Sequence, residues 1–183
     1  MRLLSLTLLA LWGTTLSAAE PDVDPDTGLR SWQTDQAGVQ VRLTQINSDQ
    51  ARAFYLARGF SAAATERYVA ECVFMTVVRN IGDVPIQHRL SDWRYTAPGK
   101  PPQRIRSKTE WERLWKKLGV KESARIAFTW AQFPTTQTFE TGDWNQGMTT
   151  YNVPRDTSFS LTFVWRTGGT IHTGQLENVR CSS

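Results

Sequence analysis

The residues of this chain best suited to recognition are its aromatics. It carries eight tryptophans, and Trp144 lies between Asp143 and Asn145 in a stretch bounded by Gly142 and Gly147. An exposed indole beside a carboxylate and an amide offers stacking area and hydrogen bonds together, a combination suited to binding surfaces. Loops on a rigid scaffold are where such groups are usually placed. Asp143, Trp144 and Asn145 are therefore the expected ligand-binding centre, with Tyr151 and Trp93 as expected neighbours. Most other tryptophans read as packing residues. Trp111 and Trp115 share one helical face, and Trp130 and Trp165 continue inward-facing strand rows.

Covalent hydrolysis needs a nucleophile, a base and a group that orients the base. The chain has two histidines and two cysteines and no Gly-x-Ser-x-Gly elbow, so no catalytic residue is assigned. A carboxylate pair of the glycosidase kind leaves no local motif, and Asp92, Glu140 and Asp143 are the acids on or beside strands that could form one. Copper could be held by His88, His172, Met75 and Met148. No His-x-His, Met-x-x-Met or Cys-x-x-Cys spacing gathers them, and neither a metal nor a cofactor is assigned. Residues 100–108 are basic, with Arg104 and Arg106 around Ile105. They read as a charge-protected edge strand or as a face for an acidic partner. Elsewhere basic and acidic residues are interleaved and the net charge is only +4, which is too diffuse for a nucleic-acid stripe.

Location sets the chemistry of the cysteines. Arg2, an apolar run over residues 3–12 and small residues ending at Ala19 make residues 1–19 an expected signal peptide. The run is shorter than the roughly 20 apolar residues that span a bilayer, and no later segment is long and apolar enough to be transmembrane. The mature protein is expected to be periplasmic or secreted, where disulfides persist, so Cys72 and Cys181 are expected to pair. The bridge would close a loop longer than half the chain, worth on the order of 4–5 kcal/mol in the chain-entropy model.

The elements that must position these residues are mostly strands. Residues 20–35, proline-bearing and acidic, read as a flexible leader, and residues 36–183 as a single β-rich domain. Val39, Val41 and Leu43 alternate with polar residues as in a half-buried strand. Residues 48–70 carry helical spacing split at Gly59, and residues 72–79 form a strand apolar on both faces. Residues 86–95 are an expected partner strand. Ser107 and Glu110 make a capping box for a helix that ends at Gly119. Residues 124–130 and 159–165 alternate as strands, and Gly168-Gly169 turns the latter into a last strand ending at Cys181.

About seven short strands predict an immunoglobulin-like antiparallel β-sandwich with helical insertions. The alternative is an α+β domain with one curved antiparallel sheet and its helices on one face. With export and no catalytic constellation, the expected function is a non-enzymatic extracytoplasmic binding or accessory module. Its partner would be an envelope protein, peptide or carbohydrate. The alternatives are a small envelope hydrolase working through carboxylates, or a periplasmic copper-handling protein.

Overall fold

The computed structural model describes residues 20–181; the expected signal peptide lies outside the described residues. In chain order the strands are β1 (Asp22–Val23), β2 (Arg30–Gln36), β3 (Val39–Ile46), β4 (Cys72–Asn80), β5 (Ile86–Arg89), β6 (Arg94–Thr96), β7 (Gln103–Arg104), β8 (Thr136–Phe139), β9 (Trp144–Tyr151), β10 (Thr157–Thr167) and β11 (Thr170–Cys181). The helices are α1 (Ser48–Leu56), α2 (Ala62–Val69), α3 (Lys108–Lys117) and α4 (Glu122–Ala131).

Two antiparallel sheets result, and strand outweighs helix by 44% to 25%, so the chain is mainly β. Sheet A runs β1-β2-β3-β4-β9. In sheet B, β11 pairs with one edge of β10, while β5 and β6 share the other edge end to end. β8 and β7 lie outside β5 and β6. Residues 86–95 are therefore one interrupted strand, broken by a 3₁₀ turn at Leu90–Asp92.

Alternation along each strand decides what lies between the sheets. Val39, Val41 and Leu43 of β3 and Cys72, Phe74 and Val78 of β4 point inward and share one core with Tyr95, Phe159, Leu161, Phe163 and Trp165 of sheet B. The Cys72–Cys181 disulfide joins β4 of one sheet to β11 of the other, with Cα atoms 5.8 Å apart.

The opposite face of sheet A is apolar only at one end, where Val73 and Met148 join a second core with residues of all four helices. Tyr55, Tyr68, Trp111, Trp115 and Phe128 pack there with ring centroids 4.7–6.4 Å apart, Trp111 and Trp115 stacked and the other pairs edge-to-face or tilted. The helices thus gather on one face of one sheet. Side-chain caps set the starts of α1, α2 and α3. Asn47 and Gln50 form a capping box on α1, and Ser107 and Glu110 form the expected one on α3.

Two expectations need correction. The stretch expected as a leader carries β1 and β2, and Trp32 of β2 is buried against Phe74. Its inward row continues with Thr34 and Gln36, so its alternation is weak, and the hairpin into β3 turns on Ala37 and Gly38 at positive φ. Residues 124–130, expected as a strand, form most of α4. Positions 124 and 128 are as well spaced for one helical face as for one strand face, and in the structure Ala124 and Phe128 are buried while Ile126 and Trp130 are exposed. What decides between them is the aromatic surface of the other helices, where Tyr55, Tyr68 and Trp115 offer Phe128 its partners.

Candidate functional site

The site is the part of the outer face of sheet A that the helices leave open. Because residues paired across neighbouring strands share a face, the ladder registers define it row by row. The covered end holds Ile46, Val73 and Thr150. Next come Thr44, Met75 and Met148, then Gln33, Arg42, Val77 and Gln146, and last Asp35, Gln40, Arg79 and Trp144. The last two rows have no helix over them, and Gln33, Asp35, Arg79, Trp144 and Gln146 are exposed.

Trp144, 52% exposed, opens the edge strand β9 and pairs with Arg79 of β4. Its indole and the Arg79 side chain stand side by side about 5 Å apart at the backbone. Arg42 is engaged, donating to Ser31 Oγ at 2.8 Å and to Asp22 Oδ2 at 3.2 Å. Asp35 accepts from Gln33 Nε2 at 3.4 Å. The result is a platform of amides and charges around Val77, with one aromatic ring at its rim.

The structure separates the expected ligand-binding residues. Asp143 sits in the turn before β9, where its Oδ2 accepts from the Glu140 N–H at 3.0 Å. Asn145 follows Trp144 on a strand, so its side chain takes the opposite face and donates to Gln137 Oε1 of β8 at 2.6 Å. Tyr151 and Trp93 are not neighbours of Trp144. Tyr151 is 0% exposed and Trp93 1%; Tyr151 packs on Tyr95 and Phe159, and Trp93 Nε1 donates to the Val164 carbonyl at 3.1 Å. Arg79, Gln146 and Gln40 escape sequence reasoning. Only the strand register that places them beside Trp144 could have found them.

The other candidates are dispersed as well. His88 and His172 flank Trp165 across β10; the Trp165 ring stacks on His172, and His88 packs among Trp93, Phe133 and Phe139. Met75 and Met148 pair in sheet A, and Met148 Sδ accepts from the buried Tyr55 hydroxyl at 3.2 Å. The thioethers and imidazoles thus lie in different sheets, and among the described residues no group of three or more His, Cys, Asp or Glu is placed to hold a metal. Asp92 is ion-paired to Arg166 at 2.8 Å. It lies beyond the Arg89–Thr136 end of the β5–β8 pair, whereas Glu140 and Asp143 lie at the Ile86–Phe139 end.

A second concavity, a cleft of about 420 Å³, lies between the end of β9 and the segment leading into α3, lined by Glu71, Tyr95, Arg104, Arg106, Glu110 and Asn152 among others. Burial pushes the Glu71 carboxyl up, opposed by a hydrogen bond with Thr150 and by Arg106, whose guanidinium is 2.9 Å away. Hydrogen bonds from the Ser107 N–H and hydroxyl hold Glu110 below the usual carboxylate range. The basic stretch therefore divides its work: β7 forms a sheet edge, while Arg106 pairs with Glu71 and lies 4.6 Å over the Trp111 ring.

No family model and no curated protein matches this chain. Among solved structures it is similar to the yjhA protein from Bacillus subtilis, with a TM-score of 0.40 and 10% identity over 72% of this chain and 76% of that one.

Proposed function

We propose that this protein is a non-enzymatic extracytoplasmic binding or accessory module whose ligand lies on the open outer face of sheet A. The observation that carries the reading is Trp144, a large aromatic half exposed on a sheet face whose open rows are polar apart from Val77. Exposed indoles bring contact area with little side-chain entropy to lose, and they dominate many binding surfaces. The amides of Gln33, Gln40 and Gln146 supply donors and acceptors around it. The disulfide favours an oxidising compartment, and among the described residues no helix is long and apolar enough to cross a membrane. An immunoglobulin-like sandwich is the arrangement we favour for the two sheets, supported by their shared core and inter-sheet disulfide.

The test is retention from the native extracytoplasmic fraction, with both protein and carbohydrate analysed. Immobilised protein is expected to retain a ligand that Trp144→Ala, with an unchanged unfolding midpoint, does not. Equal retention by the two would remove the site from this face.

A second reading rests on the cleft. Carboxyls whose environments push their pKa values apart are the usual mark of an acid and base pair, and Glu71 and Glu110 are so arranged. Hydrolysis through carboxylates would then use these two acids rather than Asp92, Glu140 or Asp143. Release of reducing ends from an envelope-glycan library, abolished by Glu71→Gln, is the outcome that supports it; no release by the wild-type protein counts against it.

A further inference from the structure

We propose that a cleft at the start of α3, together with the arginines beside it on the outer face of sheet B, binds a small ligand carrying linked phosphate groups. The site lies on the other sheet from Trp144 and does not rest on the reading of that face. The cleft, of about 400 Å³, is lined by Ser91, Arg104, Thr109, Arg113, Thr135 and Thr136 among others. Arg104, Arg113, Thr109 and Thr136 are exposed. Among the described residues no hydrogen bond or ion pair engages either guanidinium or the hydroxyls of the three threonines.

Strand register adds further arginines to the cleft. Arg94 of β6 pairs with Arg104 of β7, about 5 Å apart at the backbone. Like charges directly across a ladder destabilise it, and an anion between them would relieve the repulsion. Arg94 Nη1 donates to the Ser91 and Trp93 carbonyls, each at 2.7 Å, which orients the head without neutralising it. Arg89 of β5 pairs with Thr136 of β8 and is exposed.

The carboxylates nearby do not balance this set. Asp92 is paired to Arg166 at 2.8 Å and Glu71 to Arg106 at 2.9 Å. Asp83, Glu140 and Asp143 lie toward the opposite, Ile86–Phe139 end of the β5–β8 pair. Glu110 stands in the cleft wall, where its Oε2 accepts from the Ser107 N–H and hydroxyl. Arg89, Arg94, Arg104 and Arg113 thus face Glu110 alone, an excess of three positive charges. One phosphate brings at most about two negative charges at neutral pH, and linked phosphates bring more. A carboxylate has only two oxygens to accept with, fewer than the guanidinium forks and hydroxyls that line the cleft can supply. Among the described residues no aromatic side chain stands on the outer rows of sheet B, so a nucleobase would find no ring there to stack on.

The experiment is calorimetric titration of the protein with tripolyphosphate, ATP, inorganic phosphate and a glutamate oligomer matched to tripolyphosphate in charge. Tripolyphosphate is expected to bind about tenfold or more tightly than phosphate or the glutamate oligomer, through charge-assisted bonds to more oxygens, and more weakly as salt rises. Arg104→Gln and Arg113→Gln should each weaken it by about tenfold. Without ligand, Arg104→Gln should unfold at the wild-type temperature or above it, because it removes a like-charge pair. ATP binding as tightly as tripolyphosphate assigns recognition to the phosphates alone, and tighter ATP binding keeps the phosphates and makes a nucleotide their source. A glutamate oligomer that binds as tightly as tripolyphosphate would overturn phosphate as the ligand. Binding unchanged in both variants, or no binding of tripolyphosphate by the wild type, would overturn the site. A fall of several degrees in the unfolding midpoint of Arg104→Gln would overturn the reading of the arginine pair.

Discussion

His88 shows what a single buried side chain costs. It is 1% exposed among Trp93, Phe133 and Phe139, and among the described residues neither ring nitrogen has a hydrogen-bond partner. Burial lowers its pKa from 6.5 to about 4. Between those values the unfolded chain holds a proton that the folded chain does not, so stability is full above about pH 6.5 and falls as pH drops, by on the order of 3 kcal/mol at pH 4. Urea unfolding of His88→Leu is expected to show that slope removed, with the variant gaining on wild type as pH falls from 7 to 4.5. Trp144 is the contrasting residue. Its replacement by Ala should shift stability by less than about 1 kcal/mol, whereas Trp115→Ala, at 0% exposure, should cost about 3–5 kcal/mol, both read from urea midpoints. Trp144 was legible as a candidate from its polar flanks, but its exposure was settled only by its place in an open row of sheet A. The burial of Tyr151 and Trp93 was not legible, because an aromatic on a strand is equally plausible on either face until the register is known.

At the scale of elements, β9 depends on Gly147. There the 132–133 segment crosses close over the strand, and the Phe133 N–H donates to the Met148 carbonyl at 3.0 Å. A Cβ at Gly147 would run into the backbone of Gln132 and Phe133. Gly147→Ala is therefore expected to destabilise by about 2–3 kcal/mol and to disturb the strand that carries Trp144, visible as a lower thermal midpoint. Ser107→Ala removes the side-chain half of the α3 capping box and should cost about 1 kcal/mol by the same measurement. The capping box, the paired helices of residues 48–70 and the Gly168-Gly169 hairpin could all be read from local chemistry. α4 could not. Its N-terminus has no side-chain cap, and its buried positions fit two periods, so the aromatic surface offered by α1, α2 and α3 makes it a helix.

At the scale of the molecule, the disulfide spans 109 positions and ties together sheets that share a core but no ladder. The Arg155 guanidinium lies 3.8 Å from each sulfur and donates to the Val69 carbonyl at 2.6 Å and to Ser48 Oγ at 2.9 Å, linking the bridge to the helical layer. A Cys72→Ser, Cys181→Ser double variant is expected to lose about 3–5 kcal/mol, measured by urea unfolding against the oxidised protein. By itself the sequence determined what depends on neighbours along the chain or on counting: strand alternation, caps, hairpin turns and the pairing of its only two cysteines. Only the tertiary structure decided which half of sheet A stays open, because that follows from where helices at residues 48–69 and 108–131 land. Burial is settled by such non-local packing, and it placed Trp144 beside Arg79 rather than beside Tyr151 and Trp93.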